Sequence, residues 1–242
     1  MSYNDPRLAV IYDVDNPDGP DHDFYRALAD HTGARSIIDL GCGTGLMTVT
    51  LATEGRHLTG VDPSPAMLER AKNRPGGDRV RWILGTADQV APASADLVIM
   101  SGNVAMHIIG SDWTSTLNQI AHSLRPGGTL AFESRNPEAG AWLDWNDEPA
   151  ERSTPTGVLR ESLTTDPPDA NGVVVMHMRN EFPAEGDRLE FDQQLQFRSH
   201  SRIVQDLAQA GLRVTSTYRN WRSEPFTGGA DQPLMVFTAV RD

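Results

Sequence analysis

Apolar and polar residues follow two different periods along the chain, and the order of those periods predicts an α/β fold. Short apolar runs indicate buried strands, and apolar positions spaced three or four residues apart indicate helices. In the first half, the predicted strands are 37–40, 58–62, 80–84, 96–100 and 129–133. Predicted helices begin near Asp21, Leu46, Ser64 and Trp113, so strands and helices alternate.

In the second half of the chain, apolar and polar residues alternate at every second position. Residues 158–164, 172–182 and 188–197 alternate apolar with polar positions, with turn residues between them. This pattern predicts a three-stranded antiparallel insertion, preceded by a loop over 136–155. A last helix over 200–210 and two strands, 212–218 and 234–240, complete the predicted fold as a helix and a closing β hairpin.

The clearest motif lies where the first strand meets its helix. Asp39 is followed by Gly41, Gly43 and Gly45, the pattern D-x-G-x-G-x-G. Glycine adopts positive φ and has no Cβ to keep a ligand away from the backbone, so this turn suits a nucleotide. A nicotinamide dinucleotide fold expects G-x-G-x-x-G, and the glycine spacing here therefore disfavours a nicotinamide-dependent oxidoreductase.

A second acid ends the next strand. Asp62 lies 17 positions after Gly45, near the place where nucleotide-binding α/β units put the carboxylate that binds ribose hydroxyls. After Asp62, Ser64 can cap a helix and Pro65 stands where a helix tolerates proline.

Several short motifs together resemble one family. The glycine pattern resembles motif I of the class I S-adenosylmethionine-dependent methyltransferases, and the stretches 85–88 and 124–128 resemble further family features. The resemblance implies a Rossmann-like fold, whose seven-stranded, mostly parallel sheet is flanked by helices and carries the antiparallel β insertion after its fifth strand. It also implies S-adenosylmethionine as methyl donor and S-adenosylhomocysteine as product. The overall pattern is similar to bacterial small-molecule enzymes such as aminosugar N-methyltransferases.

The resemblance also implies a donor site. The glycine turn with Asp39 would hold the methionine part, Asp62 the ribose and Asp88 the adenine amino group. Met67 would lie against the adenine, although a lone helix methionine equally suits the core. The implied donor-site residues are Asp39, Gly41, Cys42, Gly43, Asp62, Pro63, Met67, Ala87, Asp88, Gln89 and Ser101.

Tyr12 and His107 are the candidate catalytic residues, which would face the methyl group, and Trp142 and Trp145 are the candidates for the acceptor pocket. Residues 1–20 look like a loose arm, but the apolar cluster ending at Tyr12 resembles the segment that closes over the donor in this family. His107 suits general-base work near neutral pH, or is simply packed or exposed. Trp142 and Trp145 either contact substrate or fix their loop.

Composition limits the partners. The formal net charge of −12 disfavours a nucleic-acid substrate, since phosphates would be repelled. Cys42 is the only cysteine, so no intramolecular disulfide and no cysteine-based zinc site is expected. No metal-ligand spacing, signal peptide or membrane-length apolar run is seen, and a metal-independent cytoplasmic protein is expected.

The sequence therefore predicts one methyltransferase domain over 1–242. Its parts are an N-terminal arm and helix (1–33), a nucleotide-binding core (34–135), a loop with the β insertion (136–198), and the last helix with the closing hairpin (199–242). The predicted reaction is in-line methyl transfer to an oxygen or nitrogen of a small molecule. A non-catalytic donor-binding protein is the main alternative, and the insertion is a candidate surface for a homodimer.

Overall fold

A computed structural model describes residues 4–242, which form two β-sheets and the helices packed on them. The strands are β1 Ser36–Leu40, β2 His57–Asp62, β3 Val80–Leu84, β4 Ala95–Met100, β5 Leu124–Arg135, β6 Asp147–Thr154, β7 Gly157–Thr165, β8 Val173–Phe182, β9 Asp187–Gln196, β10 Leu212–Tyr218 and β11 Leu234–Arg241. The α-helices are α1 Pro6–Asp15, α2 Pro20–His31, α3 Leu46–Thr50, α4 Pro65–Asn73, α5 Val104–His107, α6 Ser111–Ser123 and α7 His200–Gln209.

The main sheet has seven strands in the order β3-β2-β1-β4-β5-β11-β10. The pairings among β1 to β5 are parallel, and β11 runs antiparallel to both of its neighbours. The predicted seven-stranded, mostly parallel sheet with a closing hairpin is therefore confirmed. The strand order reverses between β1 and β4, and α/β sheets of this kind bind ligands at the carboxyl ends of the strands near such a point.

Apolar residues cover both faces of this sheet, as expected for a parallel sheet between helices. On β4, Leu97 to Met100 are at most 1% exposed. The helix α6 buries Trp113, Leu117 and Ile120 against one face. The helix α2 buries Phe24 and Tyr25 against the other.

The second sheet has the order β6-β7-β8-β9, and all of its pairings are antiparallel. It confirms the antiparallel insertion after the fifth strand, but it has four strands where the sequence predicted three. The additional strand, β6, lies within the predicted loop 136–155. Its residues are mostly exposed and do not alternate, so only pairing with β7 makes this edge segment a strand.

Of the two interpretations of residues 1–20, the loose arm is wrong for the described part, because α1 is a regular helix; residues 1–3 lie outside the described range. Asp5 caps α1 by accepting a hydrogen bond from the Arg7 N–H, and Pro6 stands at the first helical position. Apolar residues of α1 pack on the second sheet. They form a cluster made of Leu8, Ile11, Leu159 and Phe182.

Among residues 4–242, every helix is too short or too polar to cross a membrane.

Candidate active site

The glycine turn after β1 and the loop after β4 touch each other at the carboxyl edge of the main sheet. Gly41 has φ +74°, and a Cβ built there would lie 2.5 Å from Cγ2 of Val104. Only glycine satisfies both the positive φ and this close approach. The turn thereby brings the backbone of Gly43 and Gly45 to the start of α3.

Asp39 is the most buried acid of this edge, with 1% of its surface exposed. The Thr48 hydroxyl donates to its Oδ2 at 2.5 Å, whereas Oδ1 is buried and has no hydrogen-bond partner among residues 4–242. Burial raises the pKa of Asp39 to about 7, opposed by the hydrogen bond from Thr48 and assisted by repulsion from Asp62. A buried acceptor left in this state is suited to an N–H or cationic group of a ligand.

Asp62 ends β2 beside the glycine turn. Its Oδ2 accepts the Gly43 N–H and its Oδ1 accepts the Ser64 N–H, each at 2.8 Å. Each oxygen has a second lone pair for a ligand hydroxyl. Burial raises the pKa of Asp62, and the two backbone hydrogen bonds oppose that rise.

The segment after β3 lies next to Asp62, since the Gly85 N–H donates to the Asp62 carbonyl at 3.0 Å. Asp88 follows on a short 3₁₀ turn and is exposed. It accepts hydrogen bonds from the Thr86 hydroxyl at 2.6 Å and the Gln89 amide at 2.9 Å, which hold its pKa below the usual value. Of its neighbours, Ala87 is buried in the core and Gln89 is exposed.

The other predicted donor-site residues differ in accessibility. Met67 is buried in the first turn of α4, where its N–H donates to Ser64 Oγ. Cys42 is buried, and burial raises the pKa of its thiol. Pro63 is exposed and Ser101 is half-buried at the end of β4.

Tyr12 lies over both loops of the edge. A Cβ on Gly43 would be 3.9 Å from Cε1 of Tyr12, and a Cβ on Gly102 would be 3.3 Å from its hydroxyl. The helix α1 therefore brings the predicted aromatic residue to the glycine turn and to the loop after β4.

The neighbouring Asp13 fixes α1 in this position and was missed by the sequence reasoning. It accepts hydrogen bonds from the Thr44 hydroxyl at 2.5 Å, Arg70 at 2.7 Å and Arg74 at 2.7 Å. Its side chain is only 15% exposed. Its position next to Tyr12 was the one available signal, because its partners are 31 to 61 residues away.

His107 ends α5 and contacts the second sheet. Gln193 of β9 donates from Nε2 to His107 Nδ1 at 3.1 Å, which assigns the ring proton to Nε2. The ring reaches the surface, yet the protein packed around it disfavours the imidazolium and lowers the pKa of His107 to about 4. His107 is therefore neutral at pH 7.

Trp142 and Trp145 pack against Phe197 at the base of the second sheet. Their ring centroids lie 4.7 and 5.7 Å from that of Phe197, and both belong to an apolar cluster that includes Met106. These contacts fix the loop, which is the second of the two roles considered for them. Contact with a substrate stays a prediction.

Known proteins show what this chain is similar to. Residues 37–128 match a family model described as a methyltransferase domain. An uncharacterised methyltransferase of Mycobacterium tuberculosis is 31% identical over 113 residues, which are 46% of this chain and 57% of that protein. The chain spans about half the length of the curated relatives that it matches.

Solved structures resemble nearly the whole chain. The CcbJ methyltransferase from Streptomyces caelestis is 21% identical with a TM-score of 0.75, and the alignment covers 99% of this chain and 97% of that one. CalS10, an amino pentose methyltransferase from Micromonospora echinaspora solved with S-adenosylmethionine bound, is 20% identical with a TM-score of 0.65, covering 96% and 97%. At these identities the likeness establishes the fold.

The fold is the one that these solved methyltransferases share. The matched domain and the curated relative are both described as methyltransferases, which agrees with the resemblance of the chain to the class I S-adenosylmethionine-dependent methyltransferases. The residues present fit that cofactor. Asp39 Oδ1 is a buried acceptor with no hydrogen-bond partner in residues 4–242, Asp62 has lone pairs for hydroxyls, and the Gly41 turn excludes side chains.

Proposed function

We propose that this chain catalyses methyl transfer from S-adenosylmethionine to a nitrogen of a small molecule, without a metal ion. The observation that carries the proposal is the convergence on one sheet edge of two buried acids, a glycine turn and Tyr12. Bound S-adenosylmethionine supplies a methyl group on a sulfonium sulfur, which leaves as a neutral thioether. The chain's main task is then to align the acceptor, which is worth ~7–11 kcal/mol in favourable cases.

Each residue has a defined task in this proposal. Asp62 accepts hydrogen bonds from the ribose hydroxyls. Asp39 Oδ1 accepts a hydrogen bond from the cationic end of the methionine part, and Asp88 accepts one from the adenine amino group. The other predicted donor contacts remain part of the proposed site. Tyr12 bounds the space beside the methyl group, and His107 bounds it from the side of the second sheet.

The state of His107 favours nitrogen over oxygen as the acceptor atom. An alcohol depends on a general base, and the best base has a pKa near the working pH. A pKa of about 4 makes His107 a weak base, whereas a neutral amine needs no base before attack. The similarity to an amino pentose methyltransferase supports the same choice. Methylation of an oxygen is the second candidate.

The experiment is calorimetric binding of S-adenosylhomocysteine to the wild type and to Asp62→Ala. Two lost hydrogen bonds to a charged group predict a ~100-fold or greater loss of affinity. Glu54→Gln is the matched control, because Glu54 is exposed and precedes β2 at the opposite edge of the sheet; its affinity should equal that of the wild type.

The outcomes separate the alternatives. Binding of NAD in place of S-adenosylhomocysteine would indicate an oxidoreductase. Binding without S-adenosylhomocysteine formation from a panel of amines and phenols would indicate a non-catalytic binding protein. Turnover of phenols alone would indicate that the acceptor atom is oxygen.

The remaining predictions complete the proposal. We place the protein in the cytoplasm, acting on a small molecule and not on nucleic acid. The whole chain acts as one domain with the boundaries predicted from the sequence. The second sheet is the candidate homodimer surface, and its charged outer pairs, such as Arg179 with Glu181, mean that such an interface would be polar.

A further inference from the structure

A third buried acid, Glu133, lies near this site and has no role in the proposed methyl transfer. It is on β5 and is 2% exposed. The Tyr25 hydroxyl of α2 donates to Oε2, and the backbone N–H of Asn103 donates to Oε1. Burial raises the pKa of Glu133 to about 7, although both hydrogen bonds act in the opposite direction.

The register of the main sheet puts Glu133 on the same face as Asp39. Asp39 of β1 pairs with Ile99 of β4, and Ile99 pairs with Ala131 of β5. Glu133 is two residues further along β5, so it shares the face of Ala131 one repeat closer to the carboxyl edge. It is therefore level with the start of the loop that follows β4.

That loop adopts a backbone conformation that requires support. Gly102 has φ +75° and Asn103 has φ +60°, which is costly for a residue with a side chain. The Asn103 N–H is the group that Glu133 holds. The next residue, Val104, contacts Gly41 of the glycine turn, and Gly102 approaches the Tyr12 hydroxyl.

We propose that Glu133 is a positioning residue for donor binding: by holding the Asn103 N–H, it fixes the loop 101–104 against the glycine turn. This inference rests on the proposed function, because the donor must bind between that loop and that turn. The competing explanation is that Glu133 only attaches α2 to the sheet through Tyr25. The two hydrogen bonds of Glu133 can be removed separately, so the explanations make different predictions.

The test measures S-adenosylhomocysteine affinity by calorimetry and Tm by thermal unfolding for three variants. Glu133→Met keeps the length of the side chain and removes both acceptors, and should weaken binding ~10-fold or more. Glu133→Gln retains one acceptor oxygen for Asn103 and should restore affinity to within ~threefold of the wild type. Tyr25→Phe removes only the α2 contact and should lower Tm while leaving affinity within ~threefold.

Two results would overturn the inference: wild-type affinity in Glu133→Met, or a loss in Tyr25→Phe as large as that in Glu133→Met. If Glu133→Met does not fold, the double variant Tyr25→Phe/Glu133→Met removes the buried hydroxyl that has lost its partner and gives the same comparison against Tyr25→Phe alone. Failure of the wild type to bind S-adenosylhomocysteine would instead reject the proposed function.

Discussion

The carboxyl edge of the main sheet and the second sheet hold their polar groups in opposite ways. At the edge, Asp39, Asp62 and Glu133 are at most 7% exposed, and backbone turns with positive φ bring the loops together. On the second sheet, ionic groups such as His177 and Asp192 pair at the surface. The carboxyl edge is thus determined by backbone geometry and buried acids, whereas the second sheet presents ionic side chains that pair at the surface.

The largest effect expected from this contrast is at the glycine turn. Gly41→Ala forces a Cβ to within 2.5 Å of Val104 at φ +74°, and we expect S-adenosylhomocysteine affinity to fall ~100-fold or more. Gly33→Ala is the matched control, because Gly33 has φ +62° with nothing within 4 Å of the added Cβ. It should cost ~1 kcal/mol of stability and leave affinity unchanged, as measured by calorimetry and urea unfolding. Equal losses of affinity in both variants would contradict the assignment.

A stability change of intermediate size is expected for Asp39→Asn. The folded-state pKa of Asp39, about 7, lies above its ordinary value of 3.8, so the folded state binds the proton more tightly than the unfolded chain. The tendency of Asp39 to ionise therefore does not lower the free energy of unfolding below pH ~4. It lowers that free energy increasingly as the pH rises towards 7, and by the full amount above pH 7.

Urea unfolding at pH 8 should accordingly show Asp39→Asn ~2 kcal/mol more stable than the wild type, because an amide has no charge to bury. At pH 5 that gain should fall to less than half of its value at pH 8. Donor affinity should nevertheless fall, since the amide N–H₂ replaces an acceptor oxygen. A gain of the same size at both pH values would show that burial of the charge is not its cause.

The smallest effect is expected on the second sheet. His177 donates to Asp192 at 2.7 Å and Asp166 at 3.2 Å, and these hydrogen bonds raise its pKa. The stabilisation is present below the unfolded pKa of His177 and is lost as the pH rises through its folded pKa. Because the groups are exposed, His177→Gln should change stability by less than ~0.5 kcal/mol at pH 5, with no change at pH 9. A change above 1 kcal/mol at pH 9 would show a packing role for His177.

The same contrast explains what could be predicted from the sequence. The glycine turn, Asp62 and the Ser64 cap are local patterns, and the structure shows the expected turn and cap. The helix α1 is hard to predict from the sequence because its apolar residues Leu8 and Ile11 pack on the second sheet, far away in sequence. The strand β6 has no alternation, since it is an exposed edge.

The long-range pairs leave even less trace in the sequence. Tyr25 and Glu133 are 108 residues apart, and neither stands in a recognisable motif. The one available signal is that Glu133 directly follows the apolar run 130–132, and its partners could not be derived from spacing. The contacts of Asp13 and Glu133 therefore become visible only in the folded structure.

The position of Cys42 has a practical consequence. It is the only cysteine of the chain, it is buried within the glycine turn, and burial disfavours its thiolate. Since alkylating reagents attack the thiolate, modification must wait for the turn to open. The alkylation rate of this single thiol therefore measures how readily the turn opens, and no further cysteine has to be introduced for the measurement.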